Sequence, residues 1–219
     1  MTEVVLSDLL RSVLRGLEIT VILTISGSIL AFVCAFVFGL GRVSRWRFIR
    51  VFSVCYIELF RGTSVFVQVF WLYYALPAFG LLLSPLLAGI LGLGFNVGAY
   101  GAEVVRSAVQ ATGRDQYEAC CALNFTRYQT FRYIILPQAF PRMLPVFGNN
   151  MVELMKASSI VSLISLSDIT FQAQQFRIRT GQTFLPFAVT LIVYFILYLG
   201  ILFFIRSVTR LANPQKVKV

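Results

Sequence analysis

The feature that most limits what this chain can become is a run from Ile19 to Leu40 without a single charged side chain. A helix rises 1.5 Å per residue, so about 20 apolar residues cross the hydrocarbon core of a bilayer. A second uncharged run covers Phe184 to Ile205, and a third opens at Pro85. In lipid every backbone N–H and C=O must be paired internally, and runs of this length are the helical way of doing so. Composition agrees. Of the 219 residues 58% are hydrophobic and 13% are charged, against roughly 25% charged in a soluble domain. The sequence therefore predicts an all-α integral membrane protein, a single domain with about five transmembrane helices.

The crossings are expected at residues 17–40, 51–76, 85–105, 143–166 and 184–205. Ahead of the first, Leu6, Leu9, Leu10, Val13, Leu14 and Leu17 recur at helical spacing, with Asp8, Arg11 and Arg15 between them. That pattern predicts a short amphipathic helix lying in the interface. Residues 1–16 then form an N-terminal interfacial segment, 17–206 the membrane domain and 207–219 a basic tail. The first apolar run is too long for a cleavable signal core, and no small-x-small site follows it. In the third crossing Gly94 and Gly98 have the small-residue spacing that lets helices approach closely, within one subunit or between two. Residues 167–183 read as a polar connection, and Pro137 as a breaker of the pattern that precedes it.

The net charge of +10 would suit nucleic acid, but the basic residues are scattered in short segments between apolar runs. Membrane topology requires that distribution, so no nucleic-acid partner is expected. Arg42, Arg45, Arg47 and Arg50 follow the first crossing, and Arg106, Arg114, Arg127, Arg132 and Arg142 fall in the long polar stretch. Arg206, Arg210, Lys216 and Lys218 close the chain, whereas the opposite side holds only Arg11, Arg15, Arg177 and Arg179. The positive-inside rule then places the N-terminus outside and the C-terminus in the cytoplasm. There is no histidine, and Cys34, Cys55, Cys120 and Cys121 show neither zinc nor disulfide spacing. No metal site, cofactor or catalytic constellation is expected.

The polar stretch from 106 to 142 carries the chemistry. Asp115 suits the start of a short helix running to about Leu123, and Asn124 stands where a left-handed residue stops it. Thr126 or Asn124 suits the cap of a second helix. The same pattern also fits an ordinary amphipathic loop. With Glu118, Ala119, Cys120 and Asn124 followed by Ile134, Ile135, Leu136 and Pro137, however, it resembles the EAA signature of ATP-binding-cassette importer permeases. The run Tyr56 to Thr63 (YIELFRGT), then Gln68, Tyr73, Tyr74 and Pro77, is similar to the polar amino acid branch of that family. So are Gln138 with Ala139, and Lys156 to Ile160. The resemblance covers nearly the whole chain. Departures are Cys120 for Ala, Asn124 for Gly, Ser64 for Pro, Ser158 for Thr and Ile160 for Leu, and Ser64 leaves a break in the second crossing open.

The resemblance implies a multi-pass subunit of the bacterial inner membrane. Its segment around Asp115, Glu118, Ala119, Cys120, Asn124, Leu136 and Pro137 docks as a cytoplasmic coupling loop into a separate ATPase dimer. It also implies a second permease subunit, identical or homologous, and an extracytoplasmic solute-binding protein. No G-x-x-x-x-G-K-[ST] phosphate cradle occurs here, so ATP belongs to the partner and the chain is not an enzyme.

Ionised side chains inside the bilayer cost roughly 2.5–3.5 kcal/mol each on insertion scales. Glu58, Arg61, Glu153 and Lys156 should therefore pair or face a wet cavity. Glu58 and Arg61 are three apart on one helix, while Asn149, Glu153 and Lys156 form one stripe. With Gln68 these are candidate solute-pathway residues, though such stripes also glue helices together. Both charge signs at one depth suit a zwitterion, an amino acid or a betaine-like osmolyte. A self-sufficient secondary transporter or channel is the competing class. It fits less well, because the chain is short and no inverted repeat is evident.

Overall fold

The computed structural model describes residues 2–212, and these are helices and short connections without a strand. In chain order the helices are α1 (Thr2–Val43), α2 (Arg47–Gly62), α3 (Val65–Phe70), α4 (Pro85–Gln110) and α5 (Arg114–Ala122). They continue with α6 (Arg127–Gln129), α7 (Leu136–Ala157), α8 (Ile169–Thr180) and α9 (Phe184–Ala212). Three of them (α1, α4 and α9) are long and apolar enough to cross a bilayer alone, and two bent pairs bring the number to five. With each bent pair counted as one span, the number reaches the expected five, two of them broken.

Helix α4 occupies the centre because its small residues let α1 lie directly against it. A Cβ on Gly94 would meet Leu30 at 2.7 Å, one on Gly98 would meet Cys34 at 2.8 Å, and one on Gly101 would meet Ala35 at 2.7 Å. The Gly94–Gly98 face is thus spent inside the subunit, on α1. Leu23, Ala31, Val69, Leu93, Val97 and Leu154 bury one apolar cluster around this contact, and Ala35, Val105, Ile135, Ala139 and Met143 bury a second.

Four expectations about the elements need correction. The N-terminal stripe is helical, but it is the first part of one continuous helix rather than a separate interfacial one. Its Leu9 and Val13 pack against Ile169 and Phe176 of α8, so protein covers part of a face that the spacing alone assigns to lipid, while Leu10 and Leu14 stay exposed. Residues 167–183 are not an open connection but contain α8. Asp168 caps it by accepting from the Phe171 N–H at 2.8 Å, and Gly181 closes it at φ +71°. Pro137 does not stop the helix. A π-helical stretch, Thr130–Ile135, precedes it, and Leu136 N–H reaches back to Phe131 O. The widened turn lets the chain pass a residue that has no N–H of its own, and α7 continues through Pro141 and Pro145. The fourth crossing accordingly starts well before residue 143, and ends in a 3-10 stretch, Ser158–Ile164. The tail from residue 213 lies outside the described residues.

Candidate functional site

Between α4 and α7 the chain leaves the bundle as two short helices and a tight turn. The stop of α5 is built as the sequence requires. Asn124 takes φ +55°, Asn124 N–H donates to Cys121 O at 3.0 Å, and Phe125 N–H donates to Cys120 O at 3.0 Å. These two bonds form a Schellman motif, which pairs carbonyls that would otherwise be orphaned. Two residues on, Thr126 and Gln129 make a reciprocal capping box, with Gln129 N–H to Thr126 Oγ1 at 3.3 Å and Thr126 N–H to Gln129 Oε1 at 2.8 Å. Asp115 lies in the first turn of α5, where a negative charge suits the helix dipole, while Gly113 occupies the cap itself.

The side chains sort by what they touch. Cys120 is buried, whereas Asp115, Glu118 and Ala119 are exposed. Around them Tyr117, Leu123, Phe125, Tyr128 and Tyr133 are large apolar side chains left in the open. The sequence reading did not single these out, although an aromatic cluster beside a turn was there to be seen. Partial burial, and then the neighbouring Cys120, push the Tyr117 phenol up from its ordinary value, so it stays a neutral hydroxyl. On α7 Leu136 and Pro137 begin the helix, and Gln138 Nε2 meets Gln116 Oε1 of α5 at 3.4 Å. The loop is therefore tied to the crossings on either side of it.

Because Asn124 must hold a left-handed conformation, Asn124→Gly should leave the turn intact. Asn124→Val should cost about 1–2 kcal/mol through Cβ crowding. Limited proteolysis at the α5–α6 turn measures the difference, and equal cleavage of the Val and Gly variants would contradict it.

The second crossing breaks at Thr63 and Ser64, where α2 turns by 103° into the helical stretch that begins with α3. Both residues are extended, so no proline is needed for the break. The freed carbonyls of α2 find side chains instead. Thr63 Oγ1 donates to Leu59 O at 2.7 Å, and Gln68 Nε2 and Asn96 Nδ2 both donate to Phe60 O, at 2.9 and 2.8 Å. The Gln68 amide nitrogen is thus committed to backbone.

The charged candidates do not pair as their spacing suggests. Glu58 faces Arg42 at 4.0 Å, and Arg61 lies over the ring of Tyr100 at 5.2 Å. On α7 Lys156 lies over Tyr198 of α9 at 5.5 Å, while Asn149 and Glu153 are exposed in the single chain. The neighbouring Asn150 has a buried Nδ2 without a partner and helps line a cavity of about 170 Å³ between α1, α4, α7 and α9. Glu103 was not among the sequence candidates. It forms an ion pair with Arg42 on α1 and accepts from Arg106 Nε at 2.7 Å, and Arg106 also reaches Gln110. Arg42 and Arg106 had counted as loop charges.

With the geometry in place, the comparisons are direct. A probable amino-acid ABC transporter permease of Sinorhizobium fredii is 45% identical, covering 93% of this chain and 90% of that protein. A putative glutamine transport system permease of Rickettsia felis is 30% identical over 90% of this chain and 91% of its own length. The crystal structure of an amino acid ABC transporter with histidines superposes with a TM-score of 0.88 at 31% identity, covering 94% of this chain and 96% of that one. Residues 27–215 match the family described as the binding-protein-dependent transport system inner membrane component. On that match, and on relatives aligned over about nine-tenths of its length, this chain belongs to the family of inner membrane components of binding-protein-dependent transport systems.

Proposed function

We propose that this permease subunit of an ATP-binding-cassette importer forms half of the pathway for a polar amino acid or a similar zwitterion. The observation that carries this is the α5–α6 element: an exposed helix–turn–helix, fixed by a Schellman motif and a capping box. It joins α4 on one side and α7 on the other. Its open aromatic and acidic surface is a docking face for a separate ATPase dimer. Asp115, Glu118, Ala119, Cys120 and Asn124 form the handle, and Leu136 with Pro137 its hinge into α7. ATP is bound by that partner, and this chain holds no cofactor and catalyses nothing.

Glu58, Arg61, Asn149 and Glu153 are polar and exposed in a chain that spans lipid. Exposure of this kind is costly unless a wet cavity or a second permease subunit covers it. They line the path, with Lys156 beside Tyr198 at its edge, and Gln68 supports the break in the second crossing. A binding protein delivers solute on the side of the N-terminus, and the coupling loop and C-terminus lie in the cytoplasm.

The test is uptake of labelled amino acids by liposomes holding the chain with its ATPase and binding protein. Transport should require all of these components and ATP, and a reporter fused to the C-terminus in cells should read as internal. Uptake by this chain alone, or an external reporter, would overturn the proposal.

A further inference from the structure

We propose that Glu103 is the positioning residue through which movement of the coupling loop reaches the solute-pathway face; this rests on the coupling role just given. Its two carboxylate oxygens are divided between helices. Oε1 takes Arg42 at the end of α1, and Oε2 takes Arg106 Nε of α4 at 2.7 Å. Arg42 extends the chain of charges to Glu58 of α2 at 4.0 Å, and Arg106 extends it to Gln110 in the last turn of α4. Two acids and two guanidiniums balance, so the chain of charges is neutral as a unit. The Arg42, Glu103 and Arg106 side chains are 25%, 20% and 30% exposed, which makes their contacts stronger than those of a surface pair.

The position of this chain of charges gives it a mechanical role. Residues 111–113 alone separate Gln110 from the start of α5, and they are held by Ala111 N–H to Ser107 O at 2.8 Å and Thr112 N–H to Val109 O at 3.4 Å. A short, bonded connection passes a tilt of α5 straight into the end of α4. At that end Glu103 fastens α1 through Arg42, which in turn faces Glu58 of α2 at 4.0 Å. Along α2 the same ladder runs to Glu58, one turn from Arg61 over Tyr100. A displacement of the loop then moves α1, α2 and α4 together rather than letting α4 slide past its neighbours. The planar fork of Arg42 is what allows one residue to hold Glu103 and face Glu58 at once, which an ammonium does not reproduce.

The experiment uses the complete importer, with ATPase and binding protein, and reads three quantities for each variant: complex recovered, ATP hydrolysed and solute taken up. For Glu103→Gln the ratio of uptake to hydrolysis should fall about tenfold or more, within the range of ordinary coupling free energies, while hydrolysis continues. Glu103→Asp should restore most of the ratio. If Glu103→Gln is not recovered as a complex, Arg42→Lys serves in its place and should lower the ratio about threefold or more, since charge is kept and only the fork is lost. An unchanged ratio in the recovered variant would overturn the inference, and so would uptake and hydrolysis falling in parallel. Absence of ATP-dependent uptake in the unaltered importer would instead sink the functional reading on which it rests.

Discussion

Glu118→Lys should abolish uptake while leaving the protein in the membrane at its normal level. Glu118 is exposed on α5, and the turn that ends this helix is fixed by the left-handed Asn124, the Schellman bonds and the buried Cys120. Lysine is a good helix former, so α5 itself should survive the change. What changes is the charge on the proposed docking face. Removing one partner of a desolvated interfacial charge pair typically costs about 2–5 kcal/mol, and reversing the sign adds repulsion. A loss of that size is a reduction of about thirtyfold or more in docking. Uptake near background, normal amounts of protein in the membrane fraction and failure to retain the ATPase on a column are the expected results together. Normal uptake would remove Glu118 from the coupling surface.

How much of this could be read in the sequence depended on how local each cause was. Asn124, Thr126 and Gln129 act within a few residues of themselves, so the stop of α5 and the start of α6 were legible from residue types alone. The apolar runs were legible for the same reason, since bilayer thickness sets their length. The break at Thr63 and Ser64 was not, because its carbonyls are satisfied by Gln68 and by Asn96 from another helix. Glu103 escaped notice because Arg42, one of its partners, lies far off in sequence and had been counted as a loop charge. Helix α8 escaped because its residues are mostly polar, although Asp168 and Gly181 mark its two ends. The amphipathic stripe around Leu9 and Val13 gave the right helix and the wrong neighbour. Periodicity identifies a face to be covered; it does not say by what.

That neighbour leads to the second large effect. Gly16→Val should prevent the folded protein from accumulating, and Gly16→Ala should lower the thermal midpoint of the detergent-solubilised complex. A Cβ on Gly16 would lie 2.7 Å from the carbonyl carbon and oxygen of Asp168 and 2.7 Å from Ile169 N. All three are backbone atoms, which have no rotamer to give. The contact seats the bend between α7 and α8 on α1, and that seat closes a set of buried polar groups. Thr20 Oγ1 on α1 receives Ile169 N–H at 3.4 Å and donates to Gly16 O at 2.9 Å. The fully buried Asp168 caps α8, and Tyr194 of α9 donates to its second oxygen at 3.4 Å. Forcing α1 away costs about 1–3 kcal/mol of overpacking, and each buried group left unpaired adds about 1–3 kcal/mol. Those terms together approach the whole stability of a typical domain. Gly200 of α9 provides the control, since nothing lies within 4 Å of a Cβ placed there. Its alanine variant should stay within about 0.5 kcal/mol of the parent. If Gly16→Val matched that control, α1 would not be what holds the α7–α8 bend in place.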